Sequence, residues 1–153
     1  MQRVAILAAL GALVVSGAAD AGTRPTPIPG VRSPSGNISC LYVPRSGALG
    51  LPTLLCKIGH AAYGAKLQRR CHAGKAGLDW HGFQLTTTQK ATVNCSGGIL
   101  YDPVHQKPTY KTLPYGHTWR QGPFTCLSRL SGMTCTSRKN HSVFISRLRY
   151  RLT

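Results

Sequence analysis

All six cysteines of this 153-residue chain fall between Cys40 and Cys135, behind an amino-terminal stretch laid out like an export leader. The opening MQRVAILAALGALVVSGAADAG places one cation at Arg3, then an uncharged apolar run from Val4 to Val15, then small residues ending in Ala19, Asp20 and Ala21. That order predicts a signal peptide over 1–21, cleaved after Ala21. The run is shorter than the roughly 20 apolar residues a spanning helix needs, and no later segment is longer, so no transmembrane segment is expected. An even cysteine count in an exported chain implies disulfides. No cysteine pair has C-x-x-C spacing, so neither a metal nor a cofactor is expected.

The cysteines also organise the reading of the chain. Residues 22–35, rich in proline and without an apolar period, read as a flexible, extended lead-in. From residue 36 to 153 the text becomes strand and turn. SGNISCLYV and LLCKI flank the polar, glycine-rich bend PRSGALGLP, which puts Cys40 and Cys56 on opposite arms of a hairpin. GHAAYGAKLQRR is the one segment suited to a short helix, with Gly59 and Gly64 weakening it. An alternating stretch around Trp80 and the returning ATVNC place Cys71 and Cys95 about a second hairpin. YDPVHQKPTYKTLPYGHTW, with its three prolines, reads as a long ordered loop. FTCLSRLSGMTCTS makes a third hairpin that pairs Cys126 with Cys135.

The expected fold is therefore mainly β, a small single domain of disulfide-stapled β-hairpins. Each bridge closes a loop for which chain entropy gives about 2 to 4 kcal/mol. Together they rival the whole net stability of a small domain, roughly 5 to 15 kcal/mol. SGNISCLYV and GPFTCLSRL share the order glycine, apolar residue, polar residue, cysteine, leucine, so two such hairpins could stack as related halves.

These blocks resemble those of a family of small exported bacterial proteins known only as a domain of unknown function. The resemblance is carried by SPSGNISC at Ser33 to Cys40, Cys56, LDWHG around Trp80, LPYG at Leu113 to Gly116, and CLSRLSGMTCTS followed by HSVFISR. It implies export, disulfides and a compact domain, secreted or held at the bacterial envelope. It brings no established activity and no catalytic residue.

Charge is the strongest functional signal. The chain carries 19 Lys and Arg against 3 acids, for a net charge of +16. Cleavage after Ala21 removes Arg3 and Asp20 together, so the mature charge is unchanged and Asp79 and Asp102 are the remaining acids. Both read as turn anchors rather than as a catalytic carboxylate pair. Cations in such excess cannot be neutralised internally, which points to an anionic polymer or envelope surface as partner.

The carboxyl-terminal ISRLRYRLT alternates Arg147, Arg149 and Arg151 with Leu148, Tyr150 and Leu152. In one strand running from about Val143 to Leu152 this gives a basic face with arginines roughly 6.6 Å apart and an apolar face. Arg129, Arg138 and Lys139 extend the expected polyanion patch. Nucleic acid would be held only non-specifically, since no recognition motif is present and Tyr150 belongs to the apolar face. The reading is a non-enzymatic basic protein that binds anionic surfaces or polymers. One alternative is a small secreted phosphodiesterase or ribonuclease using histidine and lysine, with His117 and Lys111 or His141 and Lys139 as first suspects. Another is a structural module whose charge is incidental.

Overall fold

The computed structural model describes residues 24–46, 50–74, 77–98 and 101–153. The expected leader over 1–21 lies outside them. The described elements are β1 (Thr26–Arg32), β2 (Ile38–Ser46), β3 (Leu51–Ile58), α1 (Gly64–Gly74), β4 (Asp79–Thr86), β5 (Thr92–Ser96), β6 (Gln106–Thr112), β7 (Thr118–Gln121), β8 (Phe124–Arg129), β9 (Gly132–Ser137), β10 (Ser142–Ile145) and β11 (Tyr150–Leu152). They form two sheets, in the order β5-β4-β3-β2-β1-β6 and β11-β10-β9-β8-β7. The chain is thus mainly β, in one small domain, as its hairpin grammar implies.

Period-two alternation sets the inner faces. Ile38 and Cys40 on β2, Leu54, Cys56 and Ile58 on β3, and Phe83 and Leu85 on β4 are buried. They meet Phe124 and Cys126 of β8, Met133 and Cys135 of β9, and Val143 and Ile145 of β10 in one core. The outer face of the first sheet buries a second, smaller cluster of Ile28, Leu41 and Val43, with Tyr101 against it.

The three disulfides are Cys40–Cys56, Cys71–Cys95 and Cys126–Cys135, the expected pairs, although Cys71 lies on α1 rather than about a hairpin and its bridge ties the helix to β5. Cys40 lies directly opposite Cys56, and Cys126 directly opposite Cys135, with Cα atoms 4.0 Å apart in each pair. The two bridges also touch across the core. Cys40 Sγ lies 3.7 Å from Cys135 Sγ and 3.8 Å from Met133 Sδ. The echoed hairpins β2–β3 and β8–β9 therefore stack through their sulfurs. Cys40, Cys126 and Cys135 sit close enough to suggest a metal cluster. All three are oxidised, however, and a disulfide offers no thiolate to a metal.

Three expectations are corrected. Within 22–35, Thr26–Arg32 form β1 between β2 and β6 rather than a free lead-in. Its prolines are compatible because Thr26 donates to the carbonyl of His105 beside β6, which turns the nitrogens of Pro27 and Pro29 away from that strand. On the other side, pairing with β2 begins only at Gly30, so neither missing N–H costs a ladder bond. The expected loop between Tyr101 and Trp119 contains β6, parallel to β1 from Thr26 opposite Gln106 to Arg32 opposite Thr112, and the start of β7.

The expected strand from Val143 to Leu152 is instead the hairpin β10–β11, with Val143 opposite Leu152 and Ile145 opposite Tyr150. Ser146 turns the chain. Its backbone N–H and hydroxyl both donate to the Arg149 carbonyl, at 3.0 and 2.9 Å, and its oxygen accepts from the Arg149 N–H at 3.1 Å. The two-residue turn at Arg147 and Leu148 reverses the parity, so the inward positions are odd in β10 (Val143, Ile145) and even in β11 (Tyr150, Leu152), and the alternation that runs from Arg147 to Leu152 does not extend back to Val143.

Loop length and packing rank the disulfides in opposite orders. Cys71–Cys95 closes the longest loop, 24 residues against 16 and 9, but Cys95 is only half-buried. Replacing Cys40 and Cys56 by Ala removes loop closure and also opens the sulfur contact in the core. Urea unfolding should register a loss of about 3 to 5 kcal/mol for that double variant. The Cys71→Ala/Cys95→Ala variant should lose less, despite its longer loop.

Candidate anion-binding end of the sandwich

Five connections converge on one end of the two-sheet stack. The turn before β2, the segment from Gly59 to Ala62, the loop before β7, the β8–β9 turn and the β10–β11 turn all meet there. Asn37 ties the first two together. Its Oδ1 accepts from the His60 N–H at 2.8 Å, and its Nδ2 donates to the His60 carbonyl at 3.2 Å. Gly116 donates to the Ser128 carbonyl at 2.8 Å, bringing Tyr115 beside β8. Gly132 has φ 141°, and a Cβ there would overlap the Ile145 carbonyl. Glycine thus lets the β8–β9 and β10–β11 turns lie against each other.

The Arg147 turn is pinned to the body of the domain. Ala62 donates its N–H to the Arg147 carbonyl at 2.8 Å, and the Tyr63 hydroxyl donates to the Ser146 carbonyl at 3.1 Å. Tyr63 in turn packs on Trp80, Phe83 and Tyr150, with ring centroids 6.0, 6.2 and 4.8 Å away. Burial, and secondarily the Tyr150 phenol, pushes its pKa up from 10.0 to about 12.

Arg129 and Arg147 line a groove of about 590 Å³ together with Ser33, Ser35 and Asn37. Arg147 also borders two adjoining hollows, of about 510 and 360 Å³, at His60. Leu130 and Leu148 stand on the rim of the groove. The hydroxyls of Ser33 and Ser35 lie 3.1 Å apart. Guanidinium forks beside hydroxyl and amide groups suit phosphate or carboxylate oxygens.

The structure divides the six basic residues expected to form one patch. Arg129 and Arg147 share the groove. Arg149 stands over the Phe144 ring, 5.8 Å from its centroid, and Arg151 lies directly opposite Phe144 across β10–β11. Those two cations therefore occupy the outer face of the second sheet. Within β11 the expected alternation holds, since Tyr150 and Leu152 pack on the core while Arg151 is exposed. Leu148 departs from it, being 81% exposed on the turn. Arg138 and Lys139 lie in the β9–β10 turn at the far end of the strands, roughly 17 Å from the groove by strand rise.

Among the described residues no hydrogen bond joins His117 to Lys111 or His141 to Lys139. His117 Nδ1 lies 3.2 Å from the Tyr115 carbonyl instead.

Asp79 and Asp102 are both already engaged. Asp79 meets His72 Nε2 at 2.9 Å and Gln68 Nε2 at 2.5 Å, and these hydrogen bonds hold its carboxyl below the usual carboxylate range. Asp102 meets His105 Nδ1 at 2.6 Å and accepts from the Val104 N–H, with the same effect. Among the described residues, no Lys or Arg forms an ion pair with a carboxylate. Sequence reading had missed Ser35, Asn37, His60, Leu130 and Leu148. The available signal was a repeated tripeptide, Ser128-Arg129-Leu130 and Ser146-Arg147-Leu148, with each copy at a hairpin turn.

The class defined by this fold is a small β domain of two sheets stapled by disulfides. The chain belongs to a family of unknown function, DUF6636, whose model matches residues 5–153. No curated protein and no solved structure gives a significant match. Among the described residues no helix is long and apolar enough to cross a membrane, and the disulfides are compatible with an extracellular protein.

Tyr63 makes the site's anchoring testable. A phenol pKa raised by folding contributes stability that is fully present below about 10 and is lost as pH rises through about 12. Unfolding measured across that window should show the loss in the wild type and less of it in Tyr63→Phe. At neutral pH the variant, lacking the bond to Ser146, should be less stable by about 0.5 to 1.5 kcal/mol.

Proposed function

We propose that this is an exported, strongly basic, non-enzymatic protein that binds anionic surfaces or polymers, with the Arg129–Arg147 groove as its principal contact. The observation that carries the reading is the complete diversion of acidic charge. Asp79 and Asp102 are engaged by histidines, and among the described residues no guanidinium or ammonium group has a carboxylate partner. With a net charge of +16, the potential around the domain is left for an external anion to neutralise.

Arg149 and Arg151 supply further contacts on the adjoining sheet face. Arg138 and Lys139 raise the general potential from the far end. Phosphate and carboxylate groups of envelope components fit this chemistry, and nucleic acid would bind through its phosphates without sequence preference.

Retention on an immobilised polyphosphate or polycarboxylate should fall steadily with added salt, because each neutralised site releases counterions. The Arg129→Gln/Arg147→Gln/Arg149→Gln variant should elute at clearly lower salt with unchanged thermal stability. Arg120→Gln/Arg138→Gln/Lys139→Gln, removing three cations from the opposite end, should shift elution less. Equal shifts for the two sets would mean that only total charge matters and would remove the groove from the proposal.

A further inference from the structure

Leu130 and Leu148 are 87% and 81% exposed, the highest values among the large apolar residues that the described part of the chain leaves in solvent. Tyr115, 38% exposed, lines the same groove. Each leucine follows an arginine, Arg129 or Arg147, and Arg149 follows Leu148. An apolar pair on adjoining rigid turns adds nothing to the capture of a soluble polyanion. It is suited to a partner in which an anionic layer covers an apolar one.

We propose that this end of the domain is a lipid-insertion face, on which Leu130 and Leu148 enter the acyl boundary of an anionic phospholipid bilayer while Arg129, Arg147 and Arg149 bind the headgroup phosphates. The inference rests on the anionic-surface reading above and narrows its partner to a membrane.

Three features support the geometry. The turns abut, since the absent side chain of Gly132 admits the Ile145 carbonyl, so the two leucines can enter one surface together. They are held, one by the bonds from Ala62 and Tyr63 and the other by the Arg129–Gly132 pairing, so little ordering is needed on binding. The groove between them carries no carboxylate to repel phosphates. Arginine stems can lie along the apolar boundary with their guanidinium groups in the headgroup layer, and Tyr115 has the amphipathic ring favoured at that depth. Basic side chains around a small apolar tip match the requirements of an interfacial anchor.

The test is co-sedimentation of the mature protein with vesicles of phosphatidylcholine alone or mixed with phosphatidylglycerol, run beside polyphosphate retention. Wild type should partition to the mixed vesicles and weakly to the zwitterionic ones. Leu130→Ser/Leu148→Ser should lose about tenfold or more in partitioning to mixed vesicles while its polyphosphate elution stays unchanged. A Leu148→Trp variant should show blue-shifted emission and quenching by bromine-labelled acyl chains. Undiminished partitioning of the double-serine variant, or no vesicle binding by a wild type still held on polyphosphate, would overturn insertion and leave the electrostatic reading standing. A wild type that binds neither support would overturn both.

Discussion

The contact between two disulfides at the centre of the domain is the constraint on which the other placements depend. Each links directly opposed residues of one hairpin, so each fixes the register of two strands. A one-residue slip in either hairpin would exchange its inner and outer faces. Because Cys40 meets Cys135 at 3.7 Å, the bridges also fix the facing of one sheet on the other. A domain of this size has a modest core, and here sulfur occupies the place that large side chains would fill in a longer chain. Phe83, Phe124, Leu54 and Leu85 complete the packing around it.

This arrangement separates stability from surface chemistry. The covalent links and inward side chains maintain the sheets without carboxylates, so scarcity of acids carries no structural penalty at the core. The two described acids are used locally. Asp79 joins the helix to β4 through Gln68 and His72, and Asp102 shapes the turn leading to β6. Elsewhere among the described residues the positive charge is unopposed by ion pairs. Self-repulsion on such a surface is tolerable because the cations are exposed and screened by salt, while the cross-links keep the folded state from expanding.

Much of this architecture was legible because cysteine position and side-chain parity are local signals. Cys40, Cys56, Cys126 and Cys135 lie on buried faces in strands whose alternation could be read directly, and their pairings followed. The helix was legible in GHAAYGAKLQRR in spite of its glycines, but it starts only at Gly64 and runs on through Cys71 to Gly74. What escaped was non-local. Thr26–Arg32 is a strand because β6, some 80 residues later, provides the partner its prolines could not suggest. The break at Ser146 escaped because Val143, Phe144 and Ile145 are all apolar and show no phase of their own, so the alternation from Arg147 to Leu152 was carried back across them. For the site, residue type was legible and grouping was not. Arg129 and Arg147 line one groove because β9 pairs with β10 and sets their two hairpin turns side by side, whereas Arg138 and Lys139, closer to Arg147 in sequence, are carried to the opposite end.

Aromatic packing completes the physical link between core and surface. Tyr63 touches Phe83 in the first sheet and Tyr150 in the second, and its hydroxyl reaches the carbonyl of Ser146 at the base of the exposed turn. The neighbouring Ala62 N–H holds the Arg147 carbonyl. A flexible arginine-rich tail would have to be ordered each time it met an anion, at an entropic cost for every immobilised residue. Here the backbone beneath Arg147 and Leu148 is already ordered by contacts that also join the two sheets. Folding thus bears the cost of shaping the basic end, and the side chains there can contact a partner without further rearrangement of the chain.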